Sequence, residues 1–123
     1  MRRYYRPGLT EGEADALDWQ NMVLVSAAQA ALGLISPGIR AIFVAASTGR
    51  ATLHVVLAAG EDGAVAEDVA DLVGDLEALL SHTPDFAGVT AETYVDRLPA
   101  DWRAEGWMGL YWSKGWVPEP AKD

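Results

Sequence analysis

Residues 40–58 of the sequence read RAIFVAASTGRATLHVVLA, and this stretch is the strongest indication of the fold class. Two runs rich in β-branched and apolar residues, at 40–46 and 51–58, flank a short polar segment. Gly49 in that segment can adopt the positive φ angles that tight hairpin turns require. The stretch therefore predicts two strands joined by a hairpin turn.

Alternate residues of the second strand point to opposite faces of the sheet. The residues expected in the core are Leu53, Val55 and Leu57, and those expected to be more exposed are Thr52, His54 and Val56.

Helical patterns precede and follow this hairpin. Thr10 and Glu13 match a capping box, so the first helix is expected to begin at Thr10. Gly33 and then residues 36–38 are expected to end it, because Pro37 disfavours the helical conformation at Ser36. The first helix is apolar on most sides and needs cover on more than one face, from its own chain or from a partner.

The second helix, after a turn at residues 60–63, has one apolar stripe. That stripe consists of Val65, Val69, Leu72, Leu76 and Leu79, reinforced by Val73 and Leu80.

Two further strands are predicted at residues 89–98 and 107–112, with a connecting loop between them. Alternation assigns the first of these strands two faces, one with Val89, Ala91, Thr93 and Val95 and one with Glu92, Tyr94 and Asp96. It assigns the second strand one face with Met108, Leu110 and Trp112 and one with Trp107, Gly109 and Tyr111.

The predicted order is α-β-β-α-β-β, two helix–hairpin units in tandem. Short connections favour antiparallel neighbours, so we expect an α+β protein with a four-stranded, mainly antiparallel sheet and two helices packed on one face. The other sheet face would then be open to solvent or to a partner. We expect a basic N-terminal arm at residues 1–9, one α+β domain at 10–112, and a flexible C-terminal tail at 113–123.

Charge and composition narrow the function classes. The 123 residues contain no cysteine, which excludes disulfide frameworks, thiol catalysis and cysteine-ligated zinc. The net charge of −9 is uneven: residues 1–60 carry +1 and residues 61–123 carry −10. Such a surface repels nucleic acid and attracts a basic protein. Neither a signal-peptide apolar region nor an apolar stretch of about 20 residues is present, so we expect a cytoplasmic protein without a membrane segment.

No catalytic or metal-binding motif stands out, and we expect no enzyme activity, no cofactor and no metal. Three aspartates of the second helix are spaced three and four apart and so line one strip of its surface, where solvation alone would also explain them. Aromatic residues on the open sheet face are typical interface anchors, although core packing is the alternative. The candidate partner-binding residues are Glu67, Asp68, Asp71, Asp75, His54, Tyr94, Trp107 and Tyr111.

Residues 31–42, ALGLISPGIRAI, resemble a pattern in small acidic bacterial proteins, in which a helix ends in Gly-x-Ile-Ser-Pro and an Arg-Ala-aliphatic strand follows. The resemblance continues through the acidic helix at 67–80 and the segment 91–112, which ends in an aromatic strand. These proteins are immunity proteins of contact-dependent growth inhibition systems. The resemblance implies an inhibitor that binds a cognate toxin domain and has no catalytic residues. This chain differs in its alanine-rich first hairpin and its longer C-terminal tail.

Three functional hypotheses follow. The first is an immunity-type inhibitor that binds a basic bacterial toxin domain, with a nuclease as one kind of target. The second is a secretion chaperone or adaptor that acts as a homodimer through the apolar first helix. The third is an enzyme with a carboxylate site, in which Glu92 or Asp96 would lie near His54 across the sheet.

Overall fold

The computed structural model describes residues 8–33, 37–60, 63–113 and 116. In chain order the elements are helix α1 (Glu11–Ala31), strands β1 (Ile39–Ser47) and β2 (Arg50–Leu57), helix α2 (Gly63–Leu80), strand β3 (Gly88–Val95), a short 3-10 helix (Trp102–Glu105) and strand β4 (Met108–Trp112). The predicted α+β class and the order of helices and strands are confirmed. In the described part of the chain, neither helix is both long enough and apolar enough to cross a lipid bilayer.

The four strands form one sheet in the order β3-β2-β1-β4. β1 pairs antiparallel with β2 and with β4, while β2 pairs parallel with β3, so the sheet is mainly antiparallel as expected. The expectation of a second hairpin is wrong, because β3 and β4 lie at opposite edges of the sheet. α2 returns the chain to the starting end of β2, which makes the next strand parallel to it. Residues 96–107 then lead from one edge to the other.

Both helices pack on the same face of the sheet, as predicted. The core on this side joins one stripe from each helix to the inward residues of the central strands, and burial of each large apolar side chain contributes about 1.5–3 kcal/mol. Its buried members include Val23, Ala27, Val65, Val69, Leu72, Leu76, Ile42, Val44, Leu53 and Val55.

The N-terminus of α1 has the predicted capping box. The Glu13 amide donates to the Thr10 hydroxyl oxygen, and the Thr10 amide donates to the Glu13 carboxylate, both at 3.1 Å. The hydrogen bond from the Thr10 amide lowers the pKa of Glu13. Only part of the apolar surface of α1 and its C-cap is covered by the chain, since Val25 is 66% exposed and Leu32, just after the helix, is 78% exposed.

Aromatic side chains cover the central part of the opposite sheet face, so the expectation that this face is open is wrong there. Phe43 of β1 lies at the centre, with its ring centroid 5.2 Å from that of Trp102 and 6.4 Å from that of Trp116. The residues after β3 bring these tryptophans back over the sheet. As a result Val56 and His54, which alternation predicts to be more exposed, are buried.

A β-bulge in β4 reverses the predicted faces of its last two residues. Ile42 pairs with Tyr111 and Phe43 pairs with Gly109, which leaves Leu110 as an extra residue in β4. Tyr111 therefore packs with the helix-side core, and Trp112 lies on the opposite face, stacked 6.4 Å from Phe43. The prediction that Tyr111 lies on the face opposite the helices is thus wrong, because simple alternation does not allow for an inserted residue.

The predicted arm and tail lie largely outside the described residues, at positions 1–7, 114–115 and 117–123. Within the expected tail, Trp116 is described. Its indole nitrogen donates to the Asp96 carbonyl oxygen at 3.0 Å, so this residue packs on the domain.

Candidate functional site

Four carboxylates of α2 form what we call the acidic strip: Glu67, Asp68, Asp71 and Asp75. The helix holds them in place because its opposite stripe is buried in the core. Asp68 is half-buried and the other three are exposed. Among the described residues, no basic side chain forms an ion pair with any of the four. Within the part of the chain that the structure describes, the strip therefore presents negative charge without a basic partner, on a helix anchored by its buried stripe.

The parallel pairing of β2 and β3 builds a second group on the other sheet face. This register pairs His54 with Glu92 and Val56 with Tyr94. The Tyr94 hydroxyl donates to Glu92 Oε2 at 2.9 Å, and the Tyr94 oxygen lies 2.9 Å from His54 Nδ1. The His54 Nδ1 to Glu92 Oε2 distance is 4.0 Å. The three side chains thus form a continuous hydrogen-bonded chain.

Trp107, from the segment just before β4, covers the imidazole. The two rings stack with centroids 3.5 Å apart and an interplanar angle of 10°. Trp107 also lies 5.9 Å from the Tyr94 ring. We call His54, Glu92, Tyr94 and Trp107 the histidine cluster.

Burial sets the protonation of this cluster. Removal from water lowers the pKa of His54, and this effect outweighs the nearby Glu92 carboxylate, which raises it. Burial, the hydrogen bond to Glu92 and the negative charge of Glu92 raise the pKa of Tyr94 to about 12, with a smaller contribution from Asp101. The tyrosine is therefore a hydrogen-bond donor and the histidine is neutral near pH 7.

Within the cluster, the buried His54 imidazole holds the exposed Glu92 carboxylate in place through the Tyr94 hydroxyl. Because the single hydroxyl proton of Tyr94 goes to Glu92, its oxygen accepts from His54, which requires the neutral imidazole to carry its proton on Nδ1. The Glu92 side chain is 63% exposed although its Oε2 atom is fixed. Such an arrangement holds a negative group in one orientation for a cationic partner.

The structure separates the eight predicted residues into three places. The acidic strip lies on the helix layer, while His54, Tyr94 and Trp107 come together on the other sheet face. Tyr111 belongs to the helix-side core and joins neither group.

Glu92 is the main residue absent from the predicted binding set. The carboxylate-site hypothesis names it beside His54, and the parallel register confirms that proximity. Asp96, the alternative neighbour in that hypothesis, instead lies 3.9 Å from Arg40 and accepts from the Ala59 amide.

A groove of about 730 Å³ lies between α1, the β1–β2 turn and the connection from α2 to β3. Trp19 and Met22 line it together with Asp18 and Asp85. It contains none of the predicted partner-binding residues. Among the residues that the structure describes, no group of three or more histidine or acidic side chains is arranged to hold a metal ion.

Two negative features of the described surface are therefore available to another macromolecule, the acidic strip and the exposed carboxylate of Glu92. Both are carried by regular elements whose inner residues are buried. No protein-family model matches this chain, and no curated protein matches it either.

Proposed function

We propose that this protein is an immunity-type inhibitor, which binds and neutralises a basic toxin domain through an acidic and aromatic surface. The observation that carries the proposal is the acidic strip, with its exposed carboxylates that have no ion-pair partner among the described residues. An uncompensated strip on a rigid helix gains most when a cationic surface docks against it.

An inhibitor that blocks its target by occupying a basic surface needs negative charge on its own surface. A nuclease holds phosphates with basic residues, and an acidic protein can compete for the same residues. The net charge of −9 speeds the encounter, and exposed aromatic side chains then add contact area. Trp112, 54% exposed, is such a side chain in place of Tyr111. We infer that the protein acts in the cytoplasm and performs no reaction itself.

The test is direct binding to the toxin-like domain encoded by the adjacent gene. We expect a stable complex whose affinity falls as salt is raised from about 0.05 to 0.5 M, because salt screens exposed charges. Co-expression should also protect cells from the toxin domain. No complex, or an affinity unaffected by salt, would contradict the proposal.

The acidic strip is tested by the double variant Asp71→Asn/Asp75→Asn. Neutralising two exposed charges should weaken binding about three- to tenfold and change the free energy of unfolding by less than about 0.5 kcal/mol. Glu105→Gln, an exposed neutralisation on the 3-10 helix, is the matched control. Because the double variant removes two charges and the control removes one, a loss of binding free energy in Glu105→Gln half as large as in the double variant would show that only net charge matters.

A second candidate is a secretion chaperone or adaptor that acts as a homodimer through α1. The specific observation in its favour is the exposed apolar surface of that helix, where Met22 is 39% exposed beside the more exposed Val25 and Leu32. Sedimentation separates the two functions. A stable dimer that Val25→Glu dissociates would favour the chaperone.

A further inference from the structure

The outer edge of β3 has backbone hydrogen-bonding groups that no other described strand uses. β3 is an edge strand, and in the described residues no strand pairs with its outer side. The Asp96 amide, just after β3, donates to the Leu57 carbonyl oxygen at 2.8 Å. Successive amides in a strand alternate in direction, so the amides of Thr93 and Val95 point away from β2.

The edge is also accessible and regular. Thr93 is exposed, and Val95 is 61% exposed although it is apolar. Natural sheets protect their edges with proline, lysine or bulges, and residues 88–95 contain neither proline nor lysine. The pairing of β3 with β2 shows no register shift, so the strand is straight enough to accept another. At the end of the strand, the Val95 carbonyl oxygen is already used by the Arg97 amide.

We propose that the outer edge of β3 binds an extended basic segment of the toxin domain, which adds a fifth strand to the sheet. This inference rests on the proposed function and names the surface and the partner chemistry. Main-chain hydrogen bonds to Thr93 and Val95 would supply affinity, and alternate side chains would supply specificity.

Glu92 determines the chemistry of the added strand. It faces away from the helices, and its Oε2 atom is held by Tyr94. A residue directly opposite it on a neighbouring strand would lie about 5 Å away, within reach of the carboxylate. Lysine or arginine is favoured at that position. The residues on either side of it would face Ala91 and Thr93, where small or apolar side chains fit. The partner segment therefore alternates basic and apolar residues.

A second copy of this chain is a poorer occupant of the same edge. Antiparallel pairing of two β3 strands centred on Glu92 would place the two carboxylates opposite each other, and like charges at facing positions destabilise a strand pair. The net charge of −9 on each copy adds further repulsion. The charge of β3 thus acts against self-pairing and in favour of a basic partner.

The test uses a synthetic peptide of about eight residues in which lysine and valine alternate, added to the full chain. We expect the peptide to protect the amide hydrogens of Thr93 and Val95 from exchange, as measured by NMR. A matched peptide with glutamate in place of lysine should give no protection. A peptide N-methylated at alternate residues on the pairing side should also fail, and this control needs no change in the protein.

The protein variants are Thr93→Pro and Thr93→Ala. Proline removes an amide that points away from β2, so pairing within the sheet is retained, and it should weaken peptide binding at least about tenfold. Alanine keeps the amide and should bind within about twofold of the wild type. Equal binding by both variants, protection only on α2, or no protection at all would overturn the inference.

Other outcomes separate this inference from the proposed function. If protection of the edge amides appears without peptide and rises with protein concentration, a second copy of the chain is the occupant. That result would overturn the inference that a basic segment binds there. If a toxin domain binds Thr93→Pro and Thr93→Ala equally well, the immunity function is retained, but the edge of β3 is rejected as its binding surface. If the peptide protects the edge of β3 but no toxin domain binds the protein, the edge is supported as a binding surface and the immunity function is rejected.

Discussion

His54 shows how one side chain combines burial, stacking and hydrogen bonding. Its ring lies against Trp107, and its Nδ1 atom faces the Tyr94 oxygen. Protonation would put a charge where little water reaches, and the Glu92 carboxylate at 4.0 Å compensates only in part. The side chain therefore holds its neighbours in place as a neutral group near pH 7.

We predict that stability decreases below neutral pH because of His54. Its pKa is lowered by folding, so the unfolded chain binds the proton more readily. The contribution is fully present above the unfolded pKa of about 6.5 and is lost as pH falls through the folded value. Urea unfolding between about pH 7 and 5 measures it. His54→Gln should flatten this dependence, and His82→Gln, an exposed change, should leave it as in the wild type.

Tyr94 gives a prediction at the other end of the pH scale. A spectroscopic titration of phenolate absorbance should show one tyrosine ionising near pH 12, and Tyr94→Phe should lack that component. Because folding raises this pKa, its contribution to stability is complete below about pH 10 and is lost as pH rises. Loss of the hydrogen-bonded hydroxyl should lower the free energy of unfolding at pH 7 by about 0.5–1.5 kcal/mol. A late component that persists in Tyr94→Phe would contradict the assignment.

The β1–β2 turn is fixed by its contact with the connection between α2 and β3. The Gly49 carbonyl oxygen accepts from the Ala87 amide at 2.7 Å, and a Cβ at Gly49 would collide with the Asp85 carbonyl oxygen. Trp19 of α1 donates to the Ser47 carbonyl oxygen at 2.6 Å from the other side. Three elements therefore meet at one hairpin turn.

Gly49→Ala tests this junction. We expect a loss of about 2–4 kcal/mol in the free energy of unfolding, from the positive φ of +71° and from the backbone collision. Gly60→Ala is the matched control, since its φ is +84° but a Cβ there would meet no described atom within 4 Å. It should cost only about 1–2 kcal/mol. Equal losses in chemical denaturation would show that the contact adds nothing.

Local patterns predict the helices and the first hairpin well, and non-local pairing accounts for what they miss. The capping box at Thr10 and the stripe of α2 depend on residues three or four apart. The parallel partner of β3 depends on α2 as a crossover, and the face of Tyr111 depends on a bulge opposite Ile42. The histidine cluster follows from the same register, so its hydrogen-bonded chain is not apparent from the spacing within either strand.

Across the whole molecule, the sheet has different cover on its two faces. Helices bury one face, and tryptophans from the C-terminal third bury the centre of the other around Phe43. Acidic residues occupy the outside of both layers, on α2 and at Glu92. The chain thus uses its aromatic residues largely for its own packing and its charges for the surface.

The aromatic cover gives the last prediction. Trp116→Ala should lower the free energy of unfolding by about 2–4 kcal/mol, because it removes the contact with Phe43 and the hydrogen bond to Asp96. Trp112→Ala is the control on the same face. Trp112 is 54% exposed, so its loss should cost less than about 1.5 kcal/mol in the same urea unfolding measurement. A smaller loss for Trp116 than for Trp112 would contradict the packed position of residue 116.

The pairing of Ala41 with Trp112 has a consequence for biosynthesis. A ribosome releases β1 early, but the strand that completes its second side and the tryptophans that shield Phe43 are made only after β2, α2 and β3. Until then the nascent chain exposes apolar surface and an unpaired strand, both of which favour aggregation. Contacts so distant along the chain also slow folding. Chaperones that bind nascent chains would therefore have a long interval in which to hold this polypeptide.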